Sequence, residues 1–277
     1  MKKSILLLFF IATNLCLAQN KNECQFKIQY NPETTYNQII DQSNHLEMKY
    51  SGDAEMLQKL KDKGIQNPTI TENKSVIESV LKTGKTTNKI DFPLTIEFLK
   101  TTNSDNKIAI PNGTMIYGKG TVGKMPTLDS IVSKELNDEF KKTILQTMQA
   151  TFSQINIPER NVKVGDVFDI ESPLSIPIAS VQLDMTITTN YKLLSIKNNI
   201  ADFDVNQVYT MKASSTKFPI SATGAGKGKL LYDVVNNFNL KYEIDMNMDA
   251  NVKIEKIGLD IHTKTKLIQT AKISKNR

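Results

Sequence analysis

Few residues in this chain are of a type that does chemistry on its own. The 277 residues hold two histidines, two cysteines and no tryptophan. His45 and His262 lie far apart, and neither stands in a metal or nucleophile pattern: HExxH, GxSxG and a cysteine pair with ligand spacing are all missing. Paired carboxylates for acid/base work need only meet in space, and the spacing of the acidic residues singles out no pair. Gly228-Lys229 invites a phosphate-loop reading, which fails because the pattern needs Gly at Thr223 and Ser or Thr at Leu230. Asp245-Met246-Asn247-Met248-Asp249 starts like a calcium loop. Ala250 then stands where the turn glycine belongs, and Lys256 where a bidentate Glu is required. No metal and no cofactor is expected.

What remains is apolar chemistry. Met185, Met211, Met246 and Met248 share the apolar parity of long alternating stretches with Phe203, Tyr209, Phe238 and Tyr242. Flexible thioethers adapt to varied apolar ligands, and they fill ordinary cores equally well. Gly224, Gly226 and Gly228 fall on one face of a strand and leave a groove that a helix or a ligand can approach closely. The candidate ligand-binding set is therefore Met185, Tyr209, Met211, Gly226, Gly228, Phe238 and Tyr242. Core packing is the competing reading for the methionines, and packing of a long helix is the competing reading for the glycines.

The elements that must position these residues are mostly strands. Phe238, Leu240, Tyr242, Ile244, Met246, Met248, Ala250, Val252 and Ile254 alternate without a break against polar residues, as in an antiparallel strand with one wet face. The phase flips after Glu255, so residues 255–258 are expected to form a hairpin connection before Ile257, Leu259 and Ile261. Further alternation marks Val181–Leu193, Phe203–Ala213 and Ile90–Phe98, with Pro93 reading as an edge or bulge position. Shorter strands are expected at Phe26–Tyr30, Leu46–Tyr50, Ser75–Leu81, Thr114–Thr121 and Lys227–Val234. One long helix is expected over Ser133–Ile155, with Ser133 as its N-cap and a stripe of Leu136, Phe140, Ile144, Met148, Phe152 and Ile155. A shorter helix is expected from Asp53 to Lys63, closed by Gly64. The halves echo each other: Asn88-Lys89-Ile90-Asp91-Phe92 matches Asn199-Ile200-Ala201-Asp202-Phe203, and Gly118-Lys119-Gly120 matches Gly226-Lys227-Gly228. That suggests half-repeats at about 25–125 and 157–277, with chance similarity among hairpins as the alternative.

Composition places the product. With 39% hydrophobic and 23% charged residues, the chain is globular, neither disordered nor a membrane bundle. Lys2 and Lys3 precede an apolar run from Ile5 to Ala12, which reads as a secretory signal peptide over residues 1–19 and is too short to span a bilayer. Cleavage after Ala18 or Gln19 leaves an exported, periplasmic or extracellular domain over residues 20–277. A lipid-anchored form through Cys16 is the lesser alternative, weakened by Leu15. Without Lys2 and Lys3 the chain keeps 33 basic against 29 acidic residues, a mild excess that is a poor signature for nucleic acid. Cys24 is then the lone cysteine, a bystander near a loose N-terminus, and the fold must be held by its core.

The run Ile157-Pro158-Glu159-Arg160-Asn161-Val162-Lys163-Val164-Gly165-Asp166-Val167-Phe168, with Gly118-x-Gly120 and Leu128-Asp129-Ser130-Ile131 before it, resembles an exported bacterial family, domain of unknown function 6263. Many relatives in that family carry Trp where this chain has Phe168. The resemblance implies export and a β-rich architecture, and brings no activity or catalytic residues. The expected fold class is α+β, mainly β: a large curved antiparallel sheet of long strands around one long helix, similar in outline to envelope lipoprotein carriers. The leading functional expectation is a non-enzymatic envelope protein that binds a lipid or other apolar or amphiphilic ligand on the concave face. The alternative is a structural or interaction module with an envelope protein partner and no small ligand. A hydrolase-type enzyme with an unidentified carboxylate site comes third.

Overall fold

A computed structural model describes residues 22–104, 110–154, 158–178, 181–211, 220–254 and 257–276. The signal segment, Cys16, Ala213, Ile155, Glu255 and Lys256 lie outside the described residues. The first half runs β1 (Glu23–Phe26), β2 (Thr34–Ser51), α1 (Ala54–Asp62), β3 (Thr69–Thr83), β4 (Asp91–Asn103), β5 (Met115–Thr121) and β6 (Thr127–Val132). After α2 (Asp138–Gln154) come β7 (Arg160–Lys163), β8 (Val167–Ile178), β9 (Val181–Lys197), β10 (Ile200–Met211), β11 (Ile220–Asp233), β12 (Phe238–Ile254) and β13 (Ile257–Lys275).

Eleven of these strands form one antiparallel sheet in the order β6-β5-β4-β3-β2-β13-β12-β11-β10-β9-β8, and β1 pairs with β7 in a small second sheet. The chain enters the large sheet at its middle. Hairpins carry it outward from β2 to the β6 edge, α2 and β7 take it across to the β8 edge, and hairpins return it to β13 beside β2. The edges β6 and β8 are not bonded to each other, so the sheet stays open. The β12–β13 turn falls where the phase flip placed it, with Ile254 opposite Ile257. The echoing segments occupy β4–β5 and β10–β11, yet their registers differ. Phe92 lies opposite Gly120, whereas Phe203 lies opposite Leu230, two residues beyond Gly228.

Several elements depart from expectation for local reasons. The long helix starts at Asp138, five residues later than Ser133, because Asn137 Oδ1 accepts the Phe140 N–H at 2.9 Å and caps it. Ser133 instead bonds the Thr114 hydroxyl and the Glu135 N–H in the approach to the helix. The short helix is as expected to within a residue, with Asp53 accepting the Met56 N–H and Gly64 at φ +73° beyond its end. Pro93 lies in an interior strand; its missing N–H is tolerated because β3 ends at Thr83, opposite Leu94, one residue short of it. The expected Leu46–Tyr50 strand extends back to Thr34, and β6, β7 and β8 are additional strands.

Alternation gives the sheet a polar outer face and an apolar inner face, and the inner face must be covered. α2 covers one half: Ile144, Leu145, Met148 and Phe152 pack on a cluster that includes Leu81, Phe92, Leu94 and Ile116. Gln149 Oε1 also accepts the Leu128 N–H at 2.7 Å, tying the helix to the edge strand β6. The N-terminal segment covers the other half. Phe26 is fully buried, with its ring centroid 5.1–5.6 Å from those of Phe168, Tyr191, Phe203 and Tyr232. Tyr30 follows, 5.2 Å from both Tyr36 and Phe238. The Tyr232 hydroxyl lies 2.8 Å from the Lys27 carbonyl and 3.1 Å from that of Gln25, which pins the segment to β11. Cys24 is thus no bystander on a loose end: it is 5% exposed beside Val162, and burial pushes its thiol up to about 11.

Because Phe26 is the centre of four ring contacts, Phe26→Ala should cost about 3–5 kcal/mol of stability. The check is the urea midpoint at unchanged slope, with Phe26→Leu losing clearly less.

Candidate ligand-binding face

Antiparallel register turns the inner face into rows of side chains that cross the sheet. One row runs Ile187, Tyr209, Gly224, Met248, Thr263 and Leu46. On the side toward the β9–β8 turn, Met185 lies opposite Met211, and Ala222, Ala250, Ile261 and Met48 continue across the sheet. These residues form a cluster in which Met185 and Tyr209 are buried while Met48, Met211, Met246 and Met248 are half-buried. Five of the ten methionines of the chain meet there. Every described member of the cluster belongs to a strand of the large sheet, and neither α2 nor β1 contributes to it.

The next row toward the covered core is Thr189, Gln207, Gly226, Met246, Thr265, Asn44 and Asn73. It forms a belt of amides and hydroxyls. Thr265 donates to Asn44 Oδ1 at 2.8 Å, Gln42 Nε2 donates to the same oxygen at 3.1 Å, and Gln207 Nε2 donates to Thr189 at 3.1 Å and to the Tyr242 hydroxyl at 3.2 Å. The Tyr209 hydroxyl lies 2.8 Å from Gln207 Oε1 and 2.7 Å from the Met246 sulfur, which joins the belt to the methionines. A hollow of about 730 Å³ opens along β2, β3, β12 and β13, and its lining is mostly of outer-face residues, among them Glu72, Lys74, Asp245, Lys264 and Lys266, with Asn44, Asn73, Met246 and Thr265 between them.

The glycine row has a purpose other than helix packing. A Cβ at Gly228 would stand 2.0 Å from the Glu243 carbonyl oxygen, and one at Gly224 would stand 2.8 Å from that of Asn247. These two glycines are required by the close approach of β12. At Gly226 the nearest atoms are the side chains of Ile244 and Met246, each 3.1 Å away, so these lean into the room that the missing Cβ leaves. α2 packs on the other half of the sheet, which corrects the helix reading.

Of the seven residues that the sequence proposes, Met185, Tyr209 and Met211 come together in the methionine cluster, with Gly226 beside it under Met246. Gly228 lies one row further in, and Tyr242 one row beyond that, bonded to Gln207. Phe238 belongs elsewhere: it is 4% exposed, enclosed by Tyr30 and Tyr36, and lines no open surface. Leu46, Met48, Asn44 and Thr265 are additions. Leu46 and Met48 share an alternating parity, but nothing in the sequence announces that β2 lies beside β13.

The histidines occupy the outer face. His262 lies opposite Glu47, and Lys264 opposite His45, so the two imidazoles are diagonal neighbours on adjacent strands. Each is paired with its own carboxylate, His45 with Glu72 and His262 with Asp249, all four side chains being well exposed. Among the described residues no group of three or more His, Cys, Asp or Glu could hold a metal ion, and no helix is long and apolar enough to cross a membrane. No protein-family model matches the chain, and no curated protein is significantly similar to it.

Burial raises the hydroxyls of Tyr191 and Tyr209 to about 12, from an ordinary value of 10. The folded state therefore favours the neutral phenols. The stability they contribute is complete below about pH 10 and is lost as pH rises toward 12. In a spectrophotometric alkaline titration their phenolate absorbance should appear together with cooperative unfolding.

Proposed function

We propose that this protein is a non-enzymatic binder of a small apolar or amphiphilic molecule, held on the inner face of the sheet at the methionine cluster and the belt beside it. The observation that carries the reading is the composition of that cluster. Among the described residues it is an apolar cluster of buried and half-buried, adaptable side chains built from sheet residues, while the neighbouring clusters of the inner face pack against α2 or the N-terminal segment. Such surfaces serve to take up a guest. The adjoining hydrogen-bonding belt suits a guest with one polar end.

Binding of a protein partner at a sheet edge is the less favoured reading. β8 carries Pro173 and Pro177, which interrupt the donors a new strand would need, and α2 engages β6 through Gln149. The signal-like residues 1–19 support export to a bacterial envelope or beyond it. The motif resemblance to domain of unknown function 6263 supports the same address and says nothing of a ligand.

The test is native mass spectrometry of protein purified from a bacterial envelope, paired with titration of an environment-sensitive apolar dye. A stoichiometric apolar adduct and saturable dye uptake are expected. Met248→Lys, at a half-buried position, should weaken dye binding at least about tenfold, equivalent to about 1.4 kcal/mol, and leave the far-ultraviolet spectrum unchanged. A clean mass with no dye uptake would overturn the reading.

A further inference from the structure

The outer face has a recess of its own, and the register explains it. Two rows of side chains cross that face side by side. One is Glu72, His45, Lys264 and Asn247, and the next is Lys74, Ser43, Lys266 and Asp245. All eight residues line the hollow of about 730 Å³. Side chains directly opposite on paired strands have Cβ atoms about 5 Å apart, so Lys74 and Lys266 flank Ser43 closely. His45 and Lys264 stand in the neighbouring row. A single hydroxymethyl group among these long side chains leaves a gap above itself.

The cations around this gap are only loosely committed. Three lysines of the lining face two carboxylates, which stand at opposite ends of it, Glu72 on β3 and Asp245 on β12. Glu72 is engaged by His45 at 3.2 Å. Lys266 lies 3.3 Å from Glu243 and 3.9 Å from Asp245, and Lys74 lies 4.0 Å from Asp41. Pairs between solvent-facing side chains are weak, and a competing anion can displace them. Among the described residues Lys264 has no ion pair and the Ser43 hydroxyl has no hydrogen-bond partner.

One point on the sheet is thus surrounded by a free ammonium, two that can be released and a hydroxyl donor. Each ammonium carries three donors on a flexible stem and can swing over Ser43. A phosphate group has the charge and the number of oxygens to accept from all of them, through charge-assisted hydrogen bonds. A carboxylate, with two oxygens, would leave donors unused. We propose that the outer face binds a phosphate group over Ser43, held by Lys264, Lys74 and Lys266. The site lies across the sheet from the methionine cluster, and its failure would leave the reading of that cluster untouched.

Inorganic phosphate titrated into the protein at constant ionic strength, with chloride as reference, tests the site through amide chemical shifts. Saturable shifts are expected at residues 43–45, 72–74 and 264–266. Lys264→Gln should weaken binding at least about fivefold, the loss of one charge-assisted hydrogen bond. Ser43→Leu, at an exposed position, should fill the gap and abolish binding. Co-sedimentation with vesicles of phosphatidylglycerol, against phosphatidylcholine, separates the sources of the phosphate. Sedimentation that Lys264→Gln abolishes assigns the site to a lipid head group, and saturation by inorganic phosphate without sedimentation assigns it to a free phosphate. Shifts equal to those with chloride, or unaffected by Lys264→Gln, would overturn the proposal when no Lys264-dependent sedimentation is seen. Should Ser43→Leu not fold, Lys264→Gln decides.

Discussion

A sheet of eleven strands with one apolar face has to hide that face, and the insertion of Phe26 is the contact on which the remainder depends. Its ring stands among Phe168, Tyr191, Phe203 and Tyr232, which come from β8, β9, β10 and β11. A short segment thereby gathers the outer four strands of one half around itself. Tyr232 holds the backbone of that segment through its hydroxyl, at the cost of a buried polar group that the carbonyls of Gln25 and Lys27 satisfy. Tyr30 then hands the chain on to the region under α2. Among the described residues neither cover reaches the methionine cluster.

Glycines set the floor beside the methionine cluster. Gly224 and Gly228 let the β12 backbone approach β11 more nearly than any side chain would allow. Gly226, between them, leaves space that Met246 enters. The unbranched thioethers of the methionine cluster therefore lie beside glycines at which the β11 and β12 backbones come close. Tyr209 joins the two levels, with its ring in the cluster and its hydroxyl at Gln207.

Much of this architecture could be read from alternation. The unbroken run from Phe238 to Ile254 is one strand, and the turn after it falls at the phase flip. What alternation could not reveal is which strands are neighbours. β2 and β13 are the first and last long strands, and their pairing, from Thr34 opposite Lys275 to Ser51 opposite Gly258, leaves no local trace. Asn44 and Thr265 meet only through that pairing, so the belt was hidden, whereas Met185, Tyr209 and Met211 lie on consecutive hairpin strands and were visible. Phe238 was misplaced because parity assigns a face but cannot tell which part of the face is covered. The start of α2 was misjudged because Asn137 and Ser133 are both competent caps, and the contacts of Ser133 with Thr114 decided between them.

The central seam has a consequence for the order in which the protein can be made. β2 leaves the ribosome before the other strands of the large sheet and must wait for β13, the last of them, before its second edge is paired. Until then a strand of eighteen residues presents an open row of donors and acceptors in the middle of the future sheet. The nascent chain can assemble hairpins, but it cannot complete its sheet before β13 is made. Closure of the sheet is thereby postponed until β13 has emerged, whatever the hairpins on either side have already formed.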